Sequence, residues 1–299
     1  MYNQIDANKR RTIFLIAGFF VFNLLVGFAF AQYTEAGYAS VVIAIIFSVI
    51  MALVGYYSGD KMALLSAGAQ EIKKSTSPYV YRLVENLCIT AGLPLPKIYF
   101  INDSSINAFA TGRDPKHASI AITAGAIEKL ENEELEGVIA HELSHIKNYD
   151  ILVMTIVIVL VGMAVLLSDW FFRIRFWGGG KNRGDSRGGG QVQAVILIVG
   201  LIFLILSPLI AKLIQLAISR KREYLADASG SLLTRYPAGL ASALEKIKKY
   251  NVNPMSHANN ATAHLYISTP FGQKKQFLSN LFATHPPLDD RIARLRAMA

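Results

Sequence analysis

The chain has 299 residues, 53% of them hydrophobic and only 17% charged, with a mean hydropathy of +0.35. Soluble domains carry about 25% charged residues, so this composition argues against an ordinary soluble fold and sends part of the apolar excess to lipid. The net charge of +9 does not indicate a nucleic-acid partner, because the basic residues gather at the ends of apolar stretches: Lys9, Arg10 and Arg11, then Lys61, Lys73 and Lys74, then Arg220, Lys221 and Arg222.

Four stretches are apolar and long enough to approach the roughly 20 helical residues that cross a bilayer: 12–31, 39–57, 151–167 and 192–214, the last with a potential kink at Pro208. The first has a basic start and the signal-like triplet Ala29, Phe30, Ala31. Its apolar run exceeds the usual ~7–15 residues of a cleaved leader, and a second span follows at once, so it reads as an uncleaved anchor. For 151–167 and 192–214 the alternative is a pair of buried core helices, and the uniform Val, Ile and Leu of 192–214 favours lipid. Basic residues precede the first span and the loop 32–38 has none, which places the N-terminus, and the chain after the second span, in the cytoplasm. The loop between the last two stretches carries Arg173, Arg175, Lys181, Arg183 and Arg187 against Asp185. Either the first hairpin dominates orientation or the second pair is not fully inserted; both arrangements stay open. Residues 178–190 are Gly-rich and read as a flexible connector, not a phosphate loop, because Asn182 follows Lys181.

Between the hairpins the pattern predicts a helix over 77–93 and strands over 97–101, 106–111 and 118–123. The helix over 77–93 carries the single Cys, Cys88. It has no partner for an internal disulfide and reads as a buried, inert thiol. A further helix starts with Asn132 as its N-cap, Glu133 and Glu134 in its first turn and Lys147 in its last. Helix is also expected after the fourth stretch through Ser229, from Pro237, and from about 285–287 to the end. The expected fold class is mainly α with a small β-sheet (α+β), in a membrane protein with two helical hairpins. Its parts are an N-terminal hairpin (1–60), a catalytic part with the sheet (61–150), a second hairpin (151–216) with the Gly-rich basic loop 171–191, and a second catalytic part (217–299).

The sharpest local feature is His141, Glu142, Leu143, Ser144, His145 inside the helix that begins near Asn132. At 3.6 residues per turn the two histidines share a face about 6 Å apart and can take two corners of a zinc tetrahedron. Glu142 is rotated aside, where it reaches an attacking water as general base. A catalytic zinc needs a third protein ligand. Glu223 is the candidate, with Asp227 one turn further on able to accept a ligand histidine's second N–H. On the residues alone, Glu223 pairing with Arg220 or Arg222 fits as well. His285 is a candidate for stabilising the oxyanion or for a plain helix-start contact. His257 and His264 have no ligand spacing, and His117 lies in or beside a strand.

His141-Glu142-x-x-His145 with the downstream Glu223-x-x-x-Asp227 resembles the HtpX-like membrane-bound gluzincin peptidases, a family that also includes the CAAX prenyl proteases. Smaller matches are residues 107–112 ahead of the zinc helix and Thr284-His285-Pro286-Pro287 with Arg291 near the end. The resemblance implies one Zn2+ per chain held by His141, His145 and Glu223. It implies endopeptidase activity on misfolded or damaged membrane proteins and unfolded polypeptides, in protein quality control at the cell membrane. It also implies that Asn107, Ala108, Phe109 and Ala110 form an edge strand that pairs with substrate backbone. Two other classes compete. One is a non-catalytic membrane scaffold with a structural metal, which the lone remote Cys disfavours. The other is a narrow-specificity processing protease. From the spacing of His145 to 151 and of the fourth stretch to Glu223, the metal is expected beside the cytoplasmic membrane face.

Overall fold

The computed structural model describes residues 2–33, 37–162, 219–259, 262–272 and 286–299. Helix α1 (Tyr2–Tyr33) and helix α2 (Ala39–Ser66) form an antiparallel hairpin. Gln4–Phe28 and Ala39–Ser66 are long and apolar enough to cross a membrane, and most of those windows are not covered by protein. Phe14, Ile13, Ile43 and Leu53 all point outward, as lipid-facing side chains do. Small residues let the helices approach. A Cβ on Gly27 would sit 2.7 Å from the Ala44 Cβ, and one on Gly59 would sit 2.6 Å from Thr155.

The chain then lays down β1 (Gln70–Glu71), α3 (Pro78–Ala91), β2 (Lys97–Ile101), β3 (Ala108–Gly112) and β4 (Ala118–Thr123). The sheet order is β1-β2-β4-β3, with β2 parallel to β4 and β3 antiparallel to it, Ala108 opposite Ile122. Strand β3 starts two residues later than the pattern predicts, because the Asn251 side chain takes both backbone groups of Ile106 (2.9 and 2.8 Å). Helix α3 ends where Gly92 turns left-handed (φ 66°), a conformation that suits glycine at a helix C-terminus.

After α4 (Ala124–Lys129) comes the central helix α5 (Asn132–Lys147), buried almost throughout its last three turns. The expected cap is corrected. Glu131 is the N-cap, and its N–H donates to the Glu134 carboxylate at 2.8 Å, while Asn132 already lies inside the helix. The His145 helix does not run straight on into the third stretch. The chain turns at Tyr149, a non-glycine residue with φ 60°, and α6 (Asp150–Gly162) leaves at 81° to α5. From Ile151 to Val161 the described part of that stretch is buried, its Leu152, Val153, Ile156 and Leu160 clustering with Leu15, Ile16 and Phe19 of α1 and Phe47 and Met51 of α2. The remainder of 151–167, the 192–214 stretch and the Gly-rich loop 171–191 lie outside the described residues.

Helices α7 (Arg220–Thr234), α8 (Pro237–Tyr250) and α9 (Leu288–Arg296) complete the described fold. They close over α5, whose Leu135, Val138, Ile139, Leu143 and Ile146 join one core with the sheet, α3 and α8. Close approach is built in. A Cβ on Gly137 would lie 2.8 Å from the Leu240 backbone nitrogen.

Candidate metal centre

Helical periodicity puts His141 and His145 on one side of α5, and burial fixes what they face. Their Nε2 atoms are 3.2 Å apart with the rings nearly perpendicular (88°). Helix α7 brings Glu223 onto the same point: its Oε2 is 3.8 Å from His141 Nε2 and its Oε1 is 3.6 Å from His145 Nε2. Among the described residues, this trio is the one group of His, Cys, Asp and Glu that could hold a metal, its ligand atoms all within 4.8 Å of one another. The approach depends on Gly230, where a Cβ would be 2.9 Å from the His141 nitrogen.

The opposite nitrogens of both rings face carboxylates. Asp227 Oδ1 lies 2.9 Å from His141 Nδ1, somewhat off the ideal hydrogen-bond line, and Asp150 Oδ2 lies 3.0 Å from His145 Nδ1. A neutral imidazole has one N–H. With each N–H directed at its carboxylate, the two Nε2 positions converge across 3.2 Å, where a proton or a metal ion can lie between them. Two nitrogens on a zinc at about 2.0–2.1 Å in a tetrahedron stand a little over 3 Å apart, so the spacing fits. Charge fits as well. Glu142, Asp150, Glu223 and Asp227 are buried around the two imidazoles, with Arg222 and Arg291 beside them, a carboxylate-rich setting that suits a cation.

Titration follows that field. Burial lowers the His141 pKa, and the Asp227 carboxylate only partly offsets it. Burial would do the same to His145, but the hydrogen bond to Asp150 and the charges of Glu223, Asp150 and Glu142 push it up to about 9. The two rings differ because Glu223, Asp150 and Glu142 all act on His145, whereas at His141 the charges of Arg291 and His145 oppose Asp227. Against its own burial, Asp227 is held down at about 2 by Arg291 and by His141. Desolvation raises Glu142 to about 7, with the positive field of His145 opposing it. Glu142 is fully buried, and neither of its carboxylate oxygens makes a hydrogen bond of good geometry, although the Ala110 N–H is near enough to lower its pKa. A buried carboxylate left so little compensated is costly as structure and suited to taking a proton near neutral pH.

Strand β3 runs alongside. In an antiparallel pair, alternate residues turn their N–H and C=O outward. The Asn107 carbonyl accepts from Thr123 within the sheet, so Ala108, Ala110 and Gly112 face the outer edge. The Ala108 carbonyl is taken by the Ile267 N–H (3.0 Å), and both backbone groups of Gly112 meet Thr155 Oγ1 (3.2 Å each). Asn107 is buried, its amide tied to the Ser268 carbonyl (3.1 Å), and the Phe109 ring packs edge-on against Tyr266. Of the four residues expected to meet substrate, Ala110 is buried with its outward N–H towards Glu142. His285 lies outside the described residues. His117 caps onto Asp114 (2.9 Å), and His264 is buried with Nε2 on the Met154 carbonyl (3.2 Å), both away from the trio.

Two supporting residues take their roles only from the structure. Asp150 carries a local signal, a carboxylate five residues past His145 just beyond the helix end. Arg291 lies 64 residues from the Asp227 it grips, and spacing offers no clue to that pairing.

Comparison with known proteins accords with this geometry. The model of "Peptidase family M48" matches residues 74–299. A "Protease HtpX homolog" of Thermoanaerobacter pseudethanolicus is 44% identical over 299 residues, covering 100% of this chain and 98% of the relative. One of Streptococcus uberis is 44% identical over 300 residues and covers all of both chains. The crystal structure of S. mikatae Ste24p shares the fold, with a TM-score of 0.53 at 20% identity over 99% of this chain and 67% of the other. A match spanning most of the sequence, with full-length relatives at this identity, means that the chain belongs to peptidase family M48 and is a metallopeptidase with membrane-spanning helices.

Proposed function

We propose that the chain is a zinc-dependent endopeptidase of the cell membrane that cleaves misfolded or damaged membrane proteins and unfolded polypeptides. The observation that carries this is the pair of imidazole Nε2 atoms 3.2 Å apart, each ring backed by a carboxylate and both faced by Glu223. His141, His145 and Glu223 would hold one Zn2+, with Asp227 and Asp150 setting the two rings. Zinc bound there would act as a Lewis acid and lower the pKa of water.

This chain's residues carry the rest. Glu142 removes a proton from water as its oxygen attacks the scissile carbonyl, then delivers that proton to the amine nitrogen as the C–N bond breaks. Its pKa near 7 suits both halves of that transfer. The Ala110 edge offers main-chain pairing that aligns an extended substrate beside Glu142. His285 is retained as a candidate donor to the oxyanion. The two catalytic parts, 61–150 and 217–299, meet on α5, and the hairpins at 1–60 and 151–216 make the protein multi-pass. Basic residues at the N-terminal end of α1 orient the site towards the cytoplasm.

The test combines metal analysis of the purified protein with casein digestion, with and without a chelator. Zinc at one per chain, chelator-sensitive cleavage, and Glu142→Gln protein that retains zinc without turnover are expected, while His141→Ala should lose both. A fully active Glu142→Gln protein would refute the assignment, and a metal-bearing wild type without hydrolysis would leave the scaffold reading.

A further inference from the structure

The two carboxylates behind the histidines are anchored differently. Asp227 is gripped by Arg291, from the folded body that carries the ligands. Asp150 is held by the membrane anchor. Asn8, fully buried in the second turn of α1, donates its amide to Asp150 Oδ1 at 2.7 Å and to the Asn148 carbonyl at 2.9 Å. Arg222 Nη1 also reaches Asp150 Oδ1, at 3.3 Å, and Arg11 donates to the Asn8 oxygen at 3.3 Å. The Lys9 ammonium stands over the Tyr149 ring, 4.9 Å from its centre. Asn8, the chain turn at 148–150 and His145 therefore form one connected chain of contacts, 142 residues apart at its first link.

The geometry has a mechanical consequence. Asp150 directs Oδ2 at His145 only while Oδ1 is held, because a carboxylate with one free oxygen rotates about its Cβ–Cγ bond. It is the first residue of α6, directly after the left-handed Tyr149 and the 81° bend, so its own backbone is not locked by continuous helix. The neutral amide of Asn8 holds Oδ1 without cancelling the charge that attracts the His145 N–H. We propose that Asn8 is a positioning residue for the metal centre, so that docking of the anchor helix α1 sets the affinity of the site for its metal. This rests on the reading of His141, His145 and Glu223 as the metal ligands. A chain that keeps all three ligands but has α1 displaced would bind metal weakly.

The test uses the full-length protein in lipid nanodiscs and measures the affinity for Zn2+ by chelator competition and the visible absorption of the Co2+-loaded form. Removing a partner that orients a metal-binding histidine weakens metal binding by about 10–100-fold. Asn8→Ala should fall at the low end, about tenfold, with a changed Co2+ spectrum, and Asp150→Asn should cost at least as much. The double variant should bind like Asp150→Asn alone, because both act through one contact. Thr12→Val is the control: Thr12 is buried one turn further along α1 and bonds the Asn8 backbone carbonyl (3.0 Å), not the Asn8 side chain that reaches Asp150. It should leave metal affinity unchanged even if the melting temperature falls. Should Asn8→Ala not fold, Asn8→Asp provides the same reading, with weakened binding because Asp150 Oδ1 then faces a carboxylate in place of an amide donor. Asn8 variants that melt lower yet bind metal like wild type would overturn the proposal. A wild type that binds no metal, or a His145→Ala variant with unchanged affinity, would instead refute the metal centre itself.

Discussion

Arg291 holds Asp227 with two nitrogens, Nε on Oδ2 at 2.9 Å and Nη2 on Oδ1 at 2.6 Å, and that same Oδ1 faces His141. Its Nη1 reaches the Ile267 carbonyl at 3.0 Å, on the segment that lines β3, and lies 3.8 Å from Glu223. One fully buried guanidinium thus ties the last helix to Asp227, to Glu223 and to the segment beside β3.

Breaking a buried pair on one side leaves an uncompensated charge and costs about 3–5 kcal/mol. Arg291→Ala is therefore expected to lower the melting temperature sharply and to reduce metal content. Arg291→Lys should recover little, since an ammonium cannot reproduce the two-pronged grip. Asp227→Asn should fold better than Arg291→Ala but lose about 10–100-fold in zinc affinity. Thermal unfolding and metal titration of the three variants check the order.

Gly230 lets α7 lie against the backbone of the metal helix. Its added Cβ would meet the His141 nitrogen at 2.9 Å, the His141 Cα at 3.1 Å and the Ala140 carbonyl carbon at 3.2 Å. These are main-chain atoms that cannot rotate away. Gly230→Ala should cost about 1–3 kcal/mol and draw Glu223 back from the imidazoles, weakening metal binding. Gly18→Ala, where nothing lies within 4 Å, should leave stability and metal affinity as they are. Parallel melting and chelator-competition curves make the comparison.

The outer edge of β3 is closed at Ala108 by Ile267 and at Gly112 by Thr155. Among the described residues, Ala110 lies between these two closures, so substrate pairing there would centre on a single residue. Peptide substrates N-methylated one position at a time should show a sharp loss of cleavage at one residue beside the scissile bond and near-normal cleavage two residues away. A uniform response along the peptide would exclude strand pairing at Ala110.

Cys88 is buried in α3, and desolvation pushes its pKa up to about 11. The thiolate is the reactive form, so alkylation of the native protein should be slow at neutral pH and rise only as pH approaches that value. The sign is plain: with the folded pKa above the ordinary thiol value of about 8.5, unfolding at pH 8 should speed alkylation. Iodoacetamide labelling with and without denaturant, followed by mass spectrometry, measures this.

The amino-acid order alone determined the features that depend on local periodicity. The four-residue spacing of His141 and His145 puts both on one face of any helix that contains them. The alternation of Ser, Ile, Ala and Ile specifies β4, and the apolar lengths of α1 and α2 specify membrane-competent helices. Chain folding decided the features that depend on which faces meet. Glu223 reaches the histidines because Gly230 admits α7 against α5, and Arg291 reaches Asp227 because α9 closes over both. The left-handed turn at Tyr149 swings α6 away at 81° and leaves Asp150 under His145 and against Asn8. The pairings of Glu223 with the histidines, Arg291 with Asp227 and Asn8 with Asp150 join residues far apart in the chain by burying polar and charged groups that need partners, and helical or strand spacing contains no information about which distant partner is met.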